Sequence, residues 1–280
     1  MKNIFLTAFA VLCFTLNGNA QDFQGKAIYE IRMTQAPDFG GRDLSDAQKK
    51  EFTERMKSGI EKSYTLSFDR TSSYYEENEK LEAPGGGGGG RGFRFGGGEE
   101  AGKLYKNIKD KKYVKQIEMY SKLFLIEDDL KTPEWKMGAE TKKIGNYTAY
   151  KATLTTAIDT TGAGEMARIF SRNRNGQGST PREIPTEKTV TAWYTLDIPV
   201  SLGPAEYWGL PGLILEIEQD RSILVCSKIV MNATDIVEVE APSKGKSINQ
   251  EDFDELMAKK RMEMMQNFQG RGGRGGGGRR

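Results

Sequence analysis

Apolar and polar positions first alternate at Lys26-Ala27-Ile28-Tyr29-Glu30-Ile31-Arg32-Met33, with Ala27, Tyr29, Ile31 and Met33 on one side. A period of two predicts a half-buried strand. The period then lengthens: Ser45 opens a stretch with Phe52, Met56 and Ile60 spaced by four, Asp46 in its first turn and Lys57 in its last. That pattern predicts a helix. Alternation returns with Tyr64, Leu66 and Phe68, and residues 72–75 read as a continuation or a partner strand. Further extended segments are predicted over 103–108, 113–120, 122–127, 135–140 and 146–156, with short turns between them. In the best-patterned run, Val190, Ala192, Tyr194 and Leu196 share a face opposite Thr191, Trp193 and Thr195. Pro199 and Gly203-Pro204 end it, and a turn at Gly209-Leu210-Pro211-Gly212 leads into a strand. There Leu213, Leu215 and Ile217 alternate with Ile214, Glu216 and Glu218. A return strand over 223–231 and a last candidate strand over 235–240 follow. Asn249 is placed to cap a closing helix, with Glu251 and Asp252 in its first turn and Phe253, Leu256, Met257, Lys260 and Met264 at helical spacing.

Strand after strand with short turns predicts a mainly β protein with minor α content. Its architecture is a single antiparallel curved sheet, or a two-sheet sandwich, with a helix after the first strand and another at the C-terminus. Two glycine tracts interrupt the pattern. Residues 85–98 hold six consecutive glycines, then Arg91, Phe93, Arg94 and Phe95, and read as a disordered loop inserted in one domain; residues 269–280 read as a disordered tail. The domain itself is expected over 21–268.

Composition adds a destination. Lys2, an apolar run from Ile4 to Leu16 and a small residue at Ala20 read as a signal peptide over 1–20. The run is too short to cross the roughly 30 Å hydrocarbon layer, and no later stretch is long and apolar enough. The expectation is an exported protein that does not span the membrane after cleavage, being periplasmic, associated with the outer membrane, or secreted. Cys13 lies mid-run without small residues before it, which disfavours a lipoprotein. The chain carries 41 basic and 39 acidic residues. With Lys2 and the arginines of the glycine tracts set aside, acidic residues outnumber basic ones, so no nucleic-acid footprint covers the body.

The chemistry the residues could support is narrow. Without histidine, Ser-His-Asp and Cys-His catalysis and the commonest zinc ligand are excluded. Once the leader is removed, Cys226 is the one remaining cysteine, so no internal disulfide forms and a buried structural thiol is expected. Glu216 and Glu218 project from one strand face roughly 7 Å apart. They could serve as the acid and base of a hydrolase, although a solvated outer face is the plainer reading. Met257, Met262, Met264 and Met265 could hold Cu(I), or simply fill apolar contacts. Glu127-Asp128-Asp129 lacks the spaced oxygens of an EF-hand loop, and Asn146-Tyr147-Thr148 and Asn232-Ala233-Thr234 are chance-level acceptor patterns. No cofactor is expected. Trp193, Tyr207 and Trp208 cluster around the turn in sequence and are the candidate binding residues for an unknown ligand or envelope partner.

The turn and its flanks carry a resemblance. Gly209-Leu210-Pro211-Gly212-Leu213-Ile214, with Ala192-Trp193-Tyr194-Thr195 and Tyr207 before it and Glu216 after it, resembles the GLPGLI family of exported Bacteroidota proteins. Gly25-Lys26-Ala27-Ile28-Tyr29, Trp135, Lys143-Ile144 and Tyr147 fit the same resemblance, which extends over most of 25–240. Ala149 stands where many members carry a cysteine, so no role built on that cysteine transfers. The resemblance implies an exported envelope protein and brings no catalytic activity. Within the motif, Pro211 and Gly212 suit the central positions of a tight turn with positive φ at Gly212, Leu213 and Leu215 are expected in the core, and Glu216 is expected to face away.

Overall fold

A computed structural model describes residues 23–34, 45–60, 62–78, 102–157, 187–220, 222–232 and 239–272. The expected leader over 1–20, the glycine-rich stretch 85–98, most of the candidate strand 235–240 and the end of the expected tail lie outside them. Among the described residues, β1 (Gly25–Met33) is followed by α1 (Asp46–Ile60), β2 (Ser63–Phe68), β3 (Ser72–Glu77), β4 (Lys103–Asn107), β5 (Lys112–Met119) and β6 (Lys122–Asp129). Then come β7 (Lys136–Ile144), β8 (Tyr147–Ala157), β9 (Glu187–Thr195), β10 (Leu213–Gln219), β11 (Ser222–Met231), β12 (Lys246–Ile248) and α2 (Gln250–Gly272).

All twelve strands form one sheet, in the order β12-β6-β5-β4-β3-β2-β1-β11-β10-β9-β8-β7. Two meanders, β1 to β6 and β7 to β11, are joined where β1 pairs antiparallel with β11, from Gly25 opposite Met231 to Met33 opposite Ser222. The short connections foreseen in the sequence explain why neighbours in the chain are neighbours in the sheet. Of the two architectures expected, the described residues form the single sheet. One detail needs correction: the sheet is mixed and not wholly antiparallel, because β12 runs parallel to β6. Three-residue β12 carries too short an alternation to be read from sequence. Residues 239 and 240 form no strand.

The helix ends follow local chemistry. Ser45 Oγ accepts from the Gln48 amide at 3.3 Å while Gln48 Oε1 accepts from the Ser45 amide at 2.9 Å, a reciprocal cap. The side chains of Phe52, Met56 and Ile60, expected on the buried side of α1, lie outside the described residues. Asn249 Oδ1 accepts from the Asp252 amide at 2.7 Å and starts α2. That helix runs to Gly272, past the expected start of the tail at 269. Phe253 and Met257 pack it against Ile117, Phe124 and Ile126 of β5 and β6.

The sheet is open and strongly curved. Ala27, Tyr29 and Ile31 of β1 point into the main core, as the alternation predicted, with Leu66, Phe68, Val190, Ala192 and Tyr194. Leu196, expected on the same face as Tyr194, instead lies beyond β9 and is exposed. Segment 196–212, between β9 and β10, turns back over this face as a strap. It buries Ile198, Val200, Leu202, Tyr207 and Leu210 there. Its backbone is closed by Gly209 N–H to Ser201 O at 3.0 Å, Leu213 N–H to Ile198 O at 2.9 Å and Ile214 N–H to Leu202 O at 3.1 Å. Lys106 of β4 reaches the carbonyl of Gly203, a residue packed on Ile214 of β10. On a flat sheet five inter-strand spacings, about 24 Å, would separate β4 from β10. One lysine side chain and one strap residue close that gap, so the sheet curls around the strap.

Candidate functional site

The GLPGLI stretch forms the end of the strap and its entry into β10. A tight turn with positive φ at Gly212 is not what the chain forms. The left-handed residue is Gly209, with φ of 90°, and Gly212 is absent from the positive-φ positions. Gly212 is needed for a different reason: a Cβ there would collide with the main-chain carbonyl of Thr195. Leu210, Leu213 and Ile214 are buried and Pro211 is exposed. A register irregularity between Ile214 and Glu216 breaks the expected alternation, so that Leu213, Ile214 and Leu215 are all buried in succession.

Glu216 keeps the outer face that the alternation predicted, opposite to that of Ile217, but it is not solvated there. Expected to face solvent, it is buried opposite Trp193 of β9, on the sheet face away from the strap. Lys142 of β7 reaches across and donates to Glu216 Oε1 at 2.6 Å and to Glu218 Oε1 at 3.1 Å. Trp193 Nε1–H donates to Glu218 Oε1 at 2.7 Å, and the Lys142 ammonium stands 4.2 Å from the centre of the indole ring. Lys151 lies over the same ring and pairs with Glu140. Burial raises the Glu216 pKa, against the hydrogen bond from Lys142, and the neighbouring Glu218 raises it further. Burial alone would raise Glu218 as well, but hydrogen bonds from Glu216, Trp193 and Lys142 hold it below the ordinary value. The pair therefore titrates as a unit in which Glu216 keeps its proton longer. Two carboxyls with pKa values pushed apart have the form of an acid–base pair. Here both carboxylates are hydrogen-bonded to one ammonium, that of Lys142.

The three candidate binding aromatics do not form one patch. Trp193 belongs to the network just described. Tyr207 and Trp208 sit on the strap, buried; Tyr207 donates to Gln219 Oε1 at 3.1 Å and packs on Trp135, whose indole N–H donates to Trp208 O at 2.8 Å. Of the methionines, Met257 is in the core beneath α2 and Met262 is exposed; the side chains of Met264 and Met265 lie outside the described residues. Cys226 is part-buried and donates to Lys228 O, and burial pushes its pKa up to about 12, so it is a poor nucleophile. Asp128 accepts from the amides of Asp129 and Gln250 and joins β6 to the start of α2, a structural use of that acidic turn.

Sequence reasoning missed Lys106. It is fully buried, and its ammonium donates to the carbonyl oxygens of Gly203 at 2.8 Å, Ala205 at 2.6 Å and Tyr207 at 3.0 Å. Each of its three protons has an acceptor on the strap. Burial lowers its pKa to about 7, with Glu206 acting in the opposite sense. The signal was present: Lys106 is in phase with Leu104 and Ile108, which puts a lysine on the apolar face of its strand.

Comparison with known proteins gives a family match over part of the chain and no activity. Residues 135–216 match a family described as a protein of unknown function (Porph_ging). The match runs from Trp135 through β7, β8, β9 and the strap to Glu216. No curated protein matches the chain. Among solved structures, two crystal forms of PNGF-II are similar over 83% and 84% of this chain, each at 12% identity and a TM-score of 0.47. The chain spans about a third of their length, at 32% and 33%. Among the described residues, no helix is long and apolar enough to cross a membrane.

Proposed function

We propose that this chain is an exported, non-catalytic cell-envelope protein of the GLPGLI family that binds an apolar ligand on the concave face of its curved sheet. The observation that carries the reading is the strap. The concave face already accommodates an irregular apolar chain, packing Ile198, Val200, Leu202 and Leu210 against Ala27, Tyr29, Leu66 and Tyr194. A surface that accepts such a segment has the shape and chemistry for an external one. Long connections without regular structure in a compact domain are commonly lids or binding loops. The chain's reactive groups speak less for catalysis, because Glu216 and Glu218 are engaged by Lys142, Lys106 by three carbonyls, and Cys226 is held as the thiol. The apolar run before Ala20 supports export.

Native mass spectrometry of the protein isolated without detergent from an envelope fraction tests the reading. The expected spectrum has a one-to-one adduct, released by organic solvent. A bare polypeptide mass, together with failure to take up any added amphiphile, contradicts the proposal.

A further inference from the structure

Lys106 lies in the apolar wall of the concave face, in phase with Leu104 on β4. Its cross-strand neighbour Ser73 is also fully buried, and the Ser73 hydroxyl has no hydrogen-bond partner. Every acceptor that Lys106 uses belongs to the strap. The middle one, Ala205, holds φ of 47°, a left-handed conformation that alanine rarely adopts. The same ammonium thus fixes a strained backbone and covers its own charge.

This arrangement limits what can replace the strap. An ammonium left in an apolar wall without acceptors is too costly to persist. An occupant that displaced the strap must bring acceptors of its own, and an anion serves best. We propose that the strap and an anionic amphiphile are alternative occupants of the concave face, with Lys106 as their shared anchor. The ligand's head group takes the place of the Gly203, Ala205 and Tyr207 carbonyls, and Ser73 supplies a further donor. Its tail takes the place of Ile198, Val200 and Leu202. Carboxylate and phosphate heads share this chemistry. The inference rests on the apolar-ligand reading above and adds the charge of the head group.

The test compares dodecanoate, dodecyl phosphate, dodecanol and dodecyltrimethylammonium, all below their micellar concentrations, by displacement of 1-N-phenylnaphthylamine at pH 6. One or both anions should bind the native chain about ten-fold or more tighter than the alcohol, with the cation weakest; a preference between the two anions identifies the head group. In Lys106→Met the anion preference should vanish while the alcohol still binds. Equal binding of all four to the native chain, or an anion preference that survives in Lys106→Met, overturns the anchor and leaves the apolar-ligand reading standing. Binding of none overturns both. If Lys106→Met does not fold, the head-group series on the native chain decides alone.

Discussion

At the scale of single residues, the unusual environments give sharp expectations. A side chain at Gly212 must displace the Thr195 carbonyl, so Gly212→Val should cost about 1–3 kcal/mol through overpacking. Calorimetry should show a melting temperature lower by about 3–10 °C; an unchanged value would mean that the strap entry can shift. Lys106 sets a pH dependence. Its folded pKa, about 7, lies below its unfolded value near 10.4. From about pH 7 to about 9 the unfolded chain binds more protons, so stability should rise with pH. Above about pH 9 that gain is offset and then reversed. Burial raises the pKa of Cys226 and then of Tyr29, Tyr64, Tyr75 and Tyr207, so the folded chain keeps protons that the unfolded chain loses. Denaturant titrations across this range should therefore show a maximum between about pH 9 and 10, and Lys106→Met should remove the rising limb. On the opposite face, Lys142→Met leaves Glu216 and Glu218 facing each other without their cation. The variant should lose about 1 kcal/mol at pH 7 and recover most of it at pH 4, where protonation removes the repulsion.

Elements were legible wherever a period ran uninterrupted. β1, β5, β6 and β9 follow from alternation, and α2 follows from Asn249 and the spacing of Phe253 and Met257. Asn249→Ala should cost about 1 kcal/mol through the lost cap and should loosen the contact of α2 with β6, read as faster amide exchange in the first turn of the helix. The failures have physical causes. The irregularity at Ile214 to Glu216 shifts phase within the strand, so an alternation counted through it puts Ile214 on the outer face, whereas it pairs with Tyr194 in the core; Glu216 keeps its face and is buried there by Lys142, which reaches over from β7. Segment 196–212 has no period to read. Its order comes from apolar side chains buried at irregular spacing and from Lys106, far away in sequence, acting on carbonyls that every residue carries. The candidate aromatics were close in sequence, but Trp193 sits on the other face of the sheet from the strap.

At the scale of the whole molecule, the open sheet leaves a question of economy. A twelve-stranded sheet must cover its concave side. It does so here with α2 at one end and the strap across the middle. α2 is anchored by a cap and a hydrophobic pair, and the strap by its buried apolar side chains, its main-chain bonds and the Lys106 ammonium. The strap carries the acceptors that answer Lys106, so it is the covering element with which an anionic ligand would exchange. Methyl-resolved NMR during titration with dodecanoate measures this directly. Exchange at the concave face predicts saturable shifts at Ile198, Leu202, Leu210 and Ile214, with little change at Val225, which pairs with Glu216 on the opposite face. Unmoved strap methyls at saturating dodecanoate, or shifts centred on Val225, would contradict it.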